Sequence, residues 1–128
     1  MTTFLVVDDD ADLRYLVNVA ITRAGHRALS AASIEEARTL CATERPDVLL
    51  LDVTMPEMTG PTFLAVLRDE GLAPPNVFLL SALEPDELAQ LADSLDVRFL
   101  LKPFTLQRLR SGLAEFLEAP EADAAPDA

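Results

Sequence analysis

Five polar side chains stand where an apolar run of strand length gives way to a loop. Asp8 and Asp9 follow Phe4 to Val7, Asp52 follows Val48 to Leu51, Ser81 follows Val77 to Leu80, and Lys102 follows Val97 to Leu101. Lys102 is the single lysine beside nine arginines. A position that takes lysine in an arginine-biased chain asks for a compact ammonium on a flexible stem. Three carboxylates brought to one pocket would repel one another unless a cation joined them. Oxygen-only ligands suit a hard ion, and Mg2+ fits best, because it uses one or two carboxylates and completes its octahedron with water and phosphate oxygens. A carboxylate facing a phosphoryl donor beside such an ion can form an acyl phosphate, which makes Asp52 the candidate nucleophile. Lys102 would meet the phosphoryl oxygens with a charge-assisted hydrogen bond, and Ser81 would donate its hydroxyl to another.

The elements that must bring these residues together alternate five times between strand and helix. After the first run, Leu13, Leu16, Val17, Ala20, Ile21 and Ala24 recur at three- and four-residue steps and stop at Gly25. Ala28 to Ala31 is a weaker second strand. Ser33 and Glu36 form a capping-box pattern that opens a helix running to about Glu44. Beyond the third strand, Pro61 suits the first position of a helix in which Phe63, Leu64 and Leu67 face inward, ending near Gly71. Glu84 to Ala92 is a short acidic helix. Thr105 can cap a last helix carrying Leu106, Leu109, Leu113 and Phe116, to about Glu118.

Strands without polar alternation imply a parallel sheet buried on both faces, in a three-layer α/β sandwich. The expected fold is a (βα)5 flavodoxin-like sandwich with strand order 2-1-3-4-5. In such sheets ligands bind beyond the carboxyl ends of the strands, where the strand order reverses. The first and third strands flank that reversal, so Asp8, Asp9 and Asp52 converge there.

Composition narrows the function classes. The 128 residues are expected to divide into one domain over 1–118 and a disordered acidic tail or linker stub over 119–128, rich in alanine and proline. A net charge of −12 repels nucleic-acid backbones and anionic membranes, so neither is an expected direct partner. No apolar stretch reaches membrane-spanning length, and no secretory signal opens the chain, which predicts a soluble cytoplasmic protein. Cys41, the only cysteine, excludes an internal disulfide and reads as a half-buried helix residue.

The four segments Leu5-Val6-Val7-Asp8-Asp9, Leu50 to Gly60, Leu79-Leu80-Ser81-Ala82 and Phe99 to Phe104 together resemble the receiver domain of two-component response regulators over about Thr3 to Leu117. The resemblance implies a phosphorylation-dependent signalling switch rather than an enzyme in the ordinary sense. Asp52 would accept phosphate from a sensor histidine kinase or phosphotransfer protein. Asp8, Asp9, Asp52 and the backbone carbonyl of Thr54 would hold Mg2+. Ser81 and Phe99 would act as the switch, and the peptide before Pro103 would be cis, aiming Lys102 at the pocket. A downstream target or a second copy would dock on the fourth helix, fifth strand and fifth helix. Three features depart from the family pattern. The stretch from Ser81 to Lys102 is about one residue short, Asp96 stands where glycine is common, and Phe99 lacks the hydroxyl of the frequent tyrosine.

Plainer readings cover several other residues. Asp10 and Asp12 suit an acidic helix start. The Asp-x-Asp-x-Asp spacing fails as a calcium loop, because Leu13 replaces the turn glycine and Val19 the terminal glutamate. His26, the single histidine, reads as a solvated loop residue, and Met55 and Met58 as loop packing. Two rival functions stay open: a small haloacid-dehalogenase-like phosphatase using Asp8, and a receiver-type binding module that works without phosphorylation.

Overall fold

The computed structural model describes residues 1–117. Its sheet comprises β1 (Thr3–Val7), β2 (Arg27–Ala31), β3 (Val48–Asp52), β4 (Asn76–Ser81) and β5 (Arg98–Leu101), all parallel, in the order β2-β1-β3-β4-β5. Between and after the strands lie α1 (Ala11–Arg23), α2 (Ile34–Glu44), α3 (Gly60–Asp69), α4 (Pro85–Leu95), α5 (Leu106–Gly112) and a final turn, α6 (Ala114–Leu117). The expected fold and strand order are those observed.

The strands carry their two-residue period in packing rather than in polarity. Leu5, Val7, Leu49, Leu51 and Leu79 face α2, α3 and α4, burying Ile34, Ala37, Phe63, Leu64, Leu67 and Leu88. Their neighbours Phe4, Val6, Val48, Leu50, Phe78 and Leu80 pack on the other face with Val17, Ala20 and Ile21 of α1 and Leu109 and Leu113 of α5. With both faces covered, a polar side chain on β1 or β3 has an outlet only at a strand end, and there the two strands turn polar. Cys41 belongs to the first cluster and is fully rather than half buried, and burial pushes its thiol pKa up to about 11. Such a thiol is inert at neutral pH.

The helix starts follow their caps. Asp10 accepts from the amides of Asp12 and Leu13, Ser33 from Glu36, Thr59 from Thr62 and Thr105 from Arg108. Two starts differ in detail from the sequence expectation. Glu36 returns its carboxylate to the amide of Ala32, one residue before the capping serine. Helix α3 opens at Gly60, so Pro61 is its second residue, where a missing amide donor is equally harmless.

Other expectations are corrected by tertiary contacts. Helix α4 runs on to Leu95 and ends with Asp96 in the left-handed region at φ 58°, the conformation a glycine would adopt most easily. Val97 closes that helix end through its amide to the Ala92 carbonyl, so β5 begins at Arg98. The last helix breaks at Leu113, and α6 is anchored separately. Glu115 pairs with Arg98 through two bonds of 2.7 and 3.1 Å, and Phe116 meets Phe78 edge-on. His26, expected in solvent, is buried beneath this turn. Its Nδ1 accepts from the Thr2 amide at 3.0 Å, and its Nε2 lies 2.7 Å from the Leu117 carbonyl, to which it donates. The expected domain end at residue 118 and the tail at 119–128 lie outside the described residues.

Candidate phosphoacceptor site

The register of the sheet assembles the site. Val7 of β1 lies beside Leu51 of β3, so the next residues, Asp8 and Asp52, leave neighbouring strands at one level. Asp52 in turn pairs with Leu80, one residue before Ser81, and Ser81 pairs with Leu101, one residue before Lys102. The Lys102 amide closes this end of the sheet on the Ser81 carbonyl at 2.8 Å. The altered spacing between Ser81 and Lys102 therefore leaves the site end of β4 and β5 in register. The Lys102-Pro103 peptide is cis, as the resemblance implies.

The side chains meet at short range. One carboxylate oxygen from each of Asp8, Asp9 and Asp52 lies within 4.8 Å of the others. Lys102 Nζ stands 2.7 Å from Asp8 Oδ2 and 3.3 Å from Asp52 Oδ1. Asp8 is 0% exposed, and its Oδ1 accepts from the Asp10 amide at 3.0 Å. Its Oδ2 meets the ammonium outside hydrogen-bond alignment and is the one buried side-chain oxygen or nitrogen without a hydrogen bond among the described residues. Asp52 is also buried, with Oδ1 held by the Thr54 amide at 3.3 Å. Ser81 Oγ accepts from the Leu83 amide at 3.0 Å, which leaves its hydroxyl proton available to another acceptor. Phe99 sits on β5 opposite Leu79, partly buried against the α4 side of the core.

The charges do not balance. Burial raises the Asp52 pKa above the ordinary carboxylate range, the Asp8 charge raises it further, and Lys102 offsets them only in part. For Lys102, burial works against the ammonium, but contact with Asp8 and the fields of Asp8 and Asp52 outweigh it and raise its pKa. One ammonium thus faces three carboxylates, and a buried carboxylate oxygen lacks a hydrogen bond. Hard oxygen donors in that state fit a small divalent cation.

Two residues that hold this arrangement escape a reading by residue type. Gly60 passes so close to β3 that a Cβ there would lie 2.4 Å from the Asp52 carbonyl oxygen, while its amide bonds the Val53 carbonyl. Arg14, outwardly a helix-surface cation, turns its Nη1 to the carbonyl of Asp8 at 2.8 Å. Gly60 closes the Leu50 to Gly60 segment that carries the family resemblance, but its contact with β3 has no local signal, and Arg14 has none beyond an arginine near a helix start.

A doubly wound parallel sheet of order β2-β1-β3-β4-β5, with carboxylates, a lysine and a serine at its carboxyl edge, has the flavodoxin-like fold. Within that fold the chain belongs to the response regulator receiver domain family, whose model matches residues 4–114. It is 31% identical over 127 residues to the KDP operon transcriptional regulatory protein KdpE of Escherichia coli (strain K12), covering 99% of this chain and 56% of that protein. It is 28% identical to sporulation initiation phosphotransferase F of Bacillus subtilis (strain 168), covering 88% of this chain and 91% of that protein. The chemotaxis response regulator CheY4 of Vibrio cholerae superposes with a TM-score of 0.82 at 29% identity, covering 90% of this chain and 98% of the other. The chain spans about half the length of several regulators it matches. It is a receiver domain of the two-component phosphoacceptor type. No helix among the described residues is long and apolar enough to cross a membrane.

Proposed function

We propose that Asp52 is the phosphoacceptor and that the chain switches its partner-binding surface when Asp52 is modified. The observation that carries this reading is a buried strand-end carboxylate, Asp52, 3.3 Å from the only lysine and clustered with two further carboxylates. A carboxylate oxygen of Asp52 attacks the phosphorus of a phosphohistidine on a sensor kinase or phosphotransfer protein. The P–N bond breaks, its electron pair stays on the imidazole nitrogen, and an acyl phosphate forms on Asp52. Asp8, Asp9, Asp52 and the Thr54 carbonyl would hold Mg2+, which supplies charge neutralisation for the transferring group. Lys102 stabilises the phosphoryl oxygens and Ser81 donates its free hydroxyl proton to one of them.

Withdrawal of Lys102 and Ser81 toward the phosphoryl group would free Phe99 to repack against α4, changing the surface formed by α4, β5 and α5. A downstream protein or a second copy would read that surface. The phosphatase alternative needs Asp8 as an accessible nucleophile, and Asp8 has no exposed surface.

The test is incubation with a small phosphodonor and Mg2+, followed by intact mass and peptide mapping. The expected adduct requires Mg2+, maps to Asp52 and disappears in Asp52→Asn. An adduct on Asp8, or one that survives in the variant, would refute the assignment.

A further inference from the structure

We infer that Arg14 is a positioning residue for the metal-binding carboxylates, acting through the peptide that joins Asp8 to Asp9. The inference rests on the Mg2+ reading above.

Asp8 is gripped on three sides. Its amide donates to the Ala31 carbonyl at 3.2 Å, its Oδ1 accepts from the Asp10 amide at 3.0 Å, and its carbonyl accepts from Arg14 Nη1 at 2.8 Å. The first bond continues the sheet and the second is a local turn contact. The third comes from a side chain one helical turn further on, and it is charge-assisted, hence shorter and stronger than a neutral bond. Because a peptide unit is planar, fixing the carbonyl of Asp8 also fixes the plane from which Asp9 departs. That constraint matters most for Asp9, which is exposed where Asp8 is buried.

The placement of Arg14 supports a specific role. A cation in the first turns of a helix opposes the helix dipole, and here the start of α1 is otherwise acidic, with Asp10 as its cap and Asp12 in its first turn. The guanidinium fork suits the task because its planar donors hold a direction that a flexible ammonium would not. Its charge repels a divalent cation nearby, so Arg14 affects metal binding in two opposed ways. Geometry favours binding at any ionic strength, whereas the repulsion fades as salt screens it.

The deciding measurement is a magnesium chloride titration of wild type, Arg14→Met and Arg14→Lys, followed by the backbone amide shifts of Asp8, Asp9 and Asp52. At about 0.5 M potassium chloride the screening length falls to a few ångström, leaving the geometric effect. Groups that orient metal ligands typically account for 10- to 100-fold in affinity, so Kd for Arg14→Met should rise by about tenfold. The metal-free melting temperature, recorded alongside, separates positioning from general support of the fold. A Kd for Arg14→Met within threefold of wild type overturns the inference, as does a larger rise that comes with a lowered metal-free melting temperature, which marks general support of the fold; a larger rise at an unchanged melting temperature supports it. Should Arg14→Met fail to fold, Arg14→Lys carries the test on the same threshold, because an ammonium on a flexible stem does not keep the guanidinium's fixed direction toward the Asp8 carbonyl. Absence of Mg2+ binding by the wild type would refute the magnesium reading itself, an outcome distinct from wild-type binding that is indifferent to Arg14.

Discussion

Replacing Asp52 by asparagine should make the metal-free domain more stable while weakening its response to magnesium. At an effective dielectric near 20, repulsion from Asp8 across no more than 4.8 Å costs about 3.5 kcal/mol, and attraction to Lys102 at 3.3 Å contributes about 5 kcal/mol. Asp9 is exposed, so its repulsion is nearer the aqueous value of about 1 kcal/mol. These terms cancel to within their precision, and burial of the Asp52 charge decides the sign. An asparagine of the same shape keeps the Thr54 amide contact without that desolvation cost, for a net gain on the order of 1 kcal/mol. In a domain of this size that raises the melting temperature by about 4 °C. Magnesium reverses the order. At ten times its dissociation constant it stabilises the wild type by about 1.4 kcal/mol, and the variant, lacking one carboxylate, by less.

The pH dependence has a definite sign. The folded-state pKa of Asp52 is raised, chiefly by burial and next by Asp8, so its protonated form favours the fold. That contribution is fully present below the unfolded aspartate pKa of about 3.9 and is lost as pH rises through the folded value. The advantage of Asp52→Asn is therefore widest at neutral pH and closes toward the ordinary carboxylate range. Differential scanning calorimetry of both proteins, with and without magnesium and at several pH values, measures every arm. A variant that melts below wild type without metal at neutral pH, or that gains equally from magnesium, would sink the charge argument.

Three further substitutions test the scaffold around the site. Gly60→Ala would drive a methyl group against the backbone of Asp52, 2.4 Å from its carbonyl oxygen, and should cost about 1 to 3 kcal/mol in urea unfolding while slowing phosphorylation. Unchanged stability would mean that the loop between β3 and α3 yields more easily than its contacts suggest. Asp96→Gly relieves the left-handed conformation at φ 58°, partly offset by unfolded-state entropy, and should raise the urea midpoint by the equivalent of about 0.5 to 1 kcal/mol. A lowered midpoint would show that the aspartate is needed at the end of α4. His26→Leu removes the bonds to the Thr2 amide and the Leu117 carbonyl and should destabilise the domain by about 1 to 3 kcal/mol. Because His26 lies just before β2, at the amino edge of the sheet, its loss should leave magnesium affinity unchanged, and a weakened Kd would contradict that separation.

Much of this molecule is written in short-range order. Unbroken apolar runs of strand length mark β1, β3 and β4 because each is buried on both faces. For the same reason, Asp8, Asp52 and Ser81 stand out at the ends of their runs, while Lys102 ends the apolar run of the edge strand β5, which is only partly buried. Ser33 and Thr105 announce their helices because capping joins residues only three apart. The bounds of α4, the start of β5 and the break before α6 were less legible. Helix and strand periods overlap at those junctions, and the contacts that settle them, such as Glu115 with Arg98, span 17 residues.

Residue types and their local spacing alone determined the fold class, the strand order expected for it, and the candidate acidic pocket with its single lysine. Only the tertiary structure decided how that pocket is held: Arg14 on the Asp8 carbonyl, Gly60 against the Asp52 backbone, and His26 buried under Leu117, 91 residues away. Periodicity and capping are properties of neighbours along the chain and survive in the sequence. Burial, close backbone approach and a side chain's choice of carbonyl depend on elements that meet only when the sheet closes.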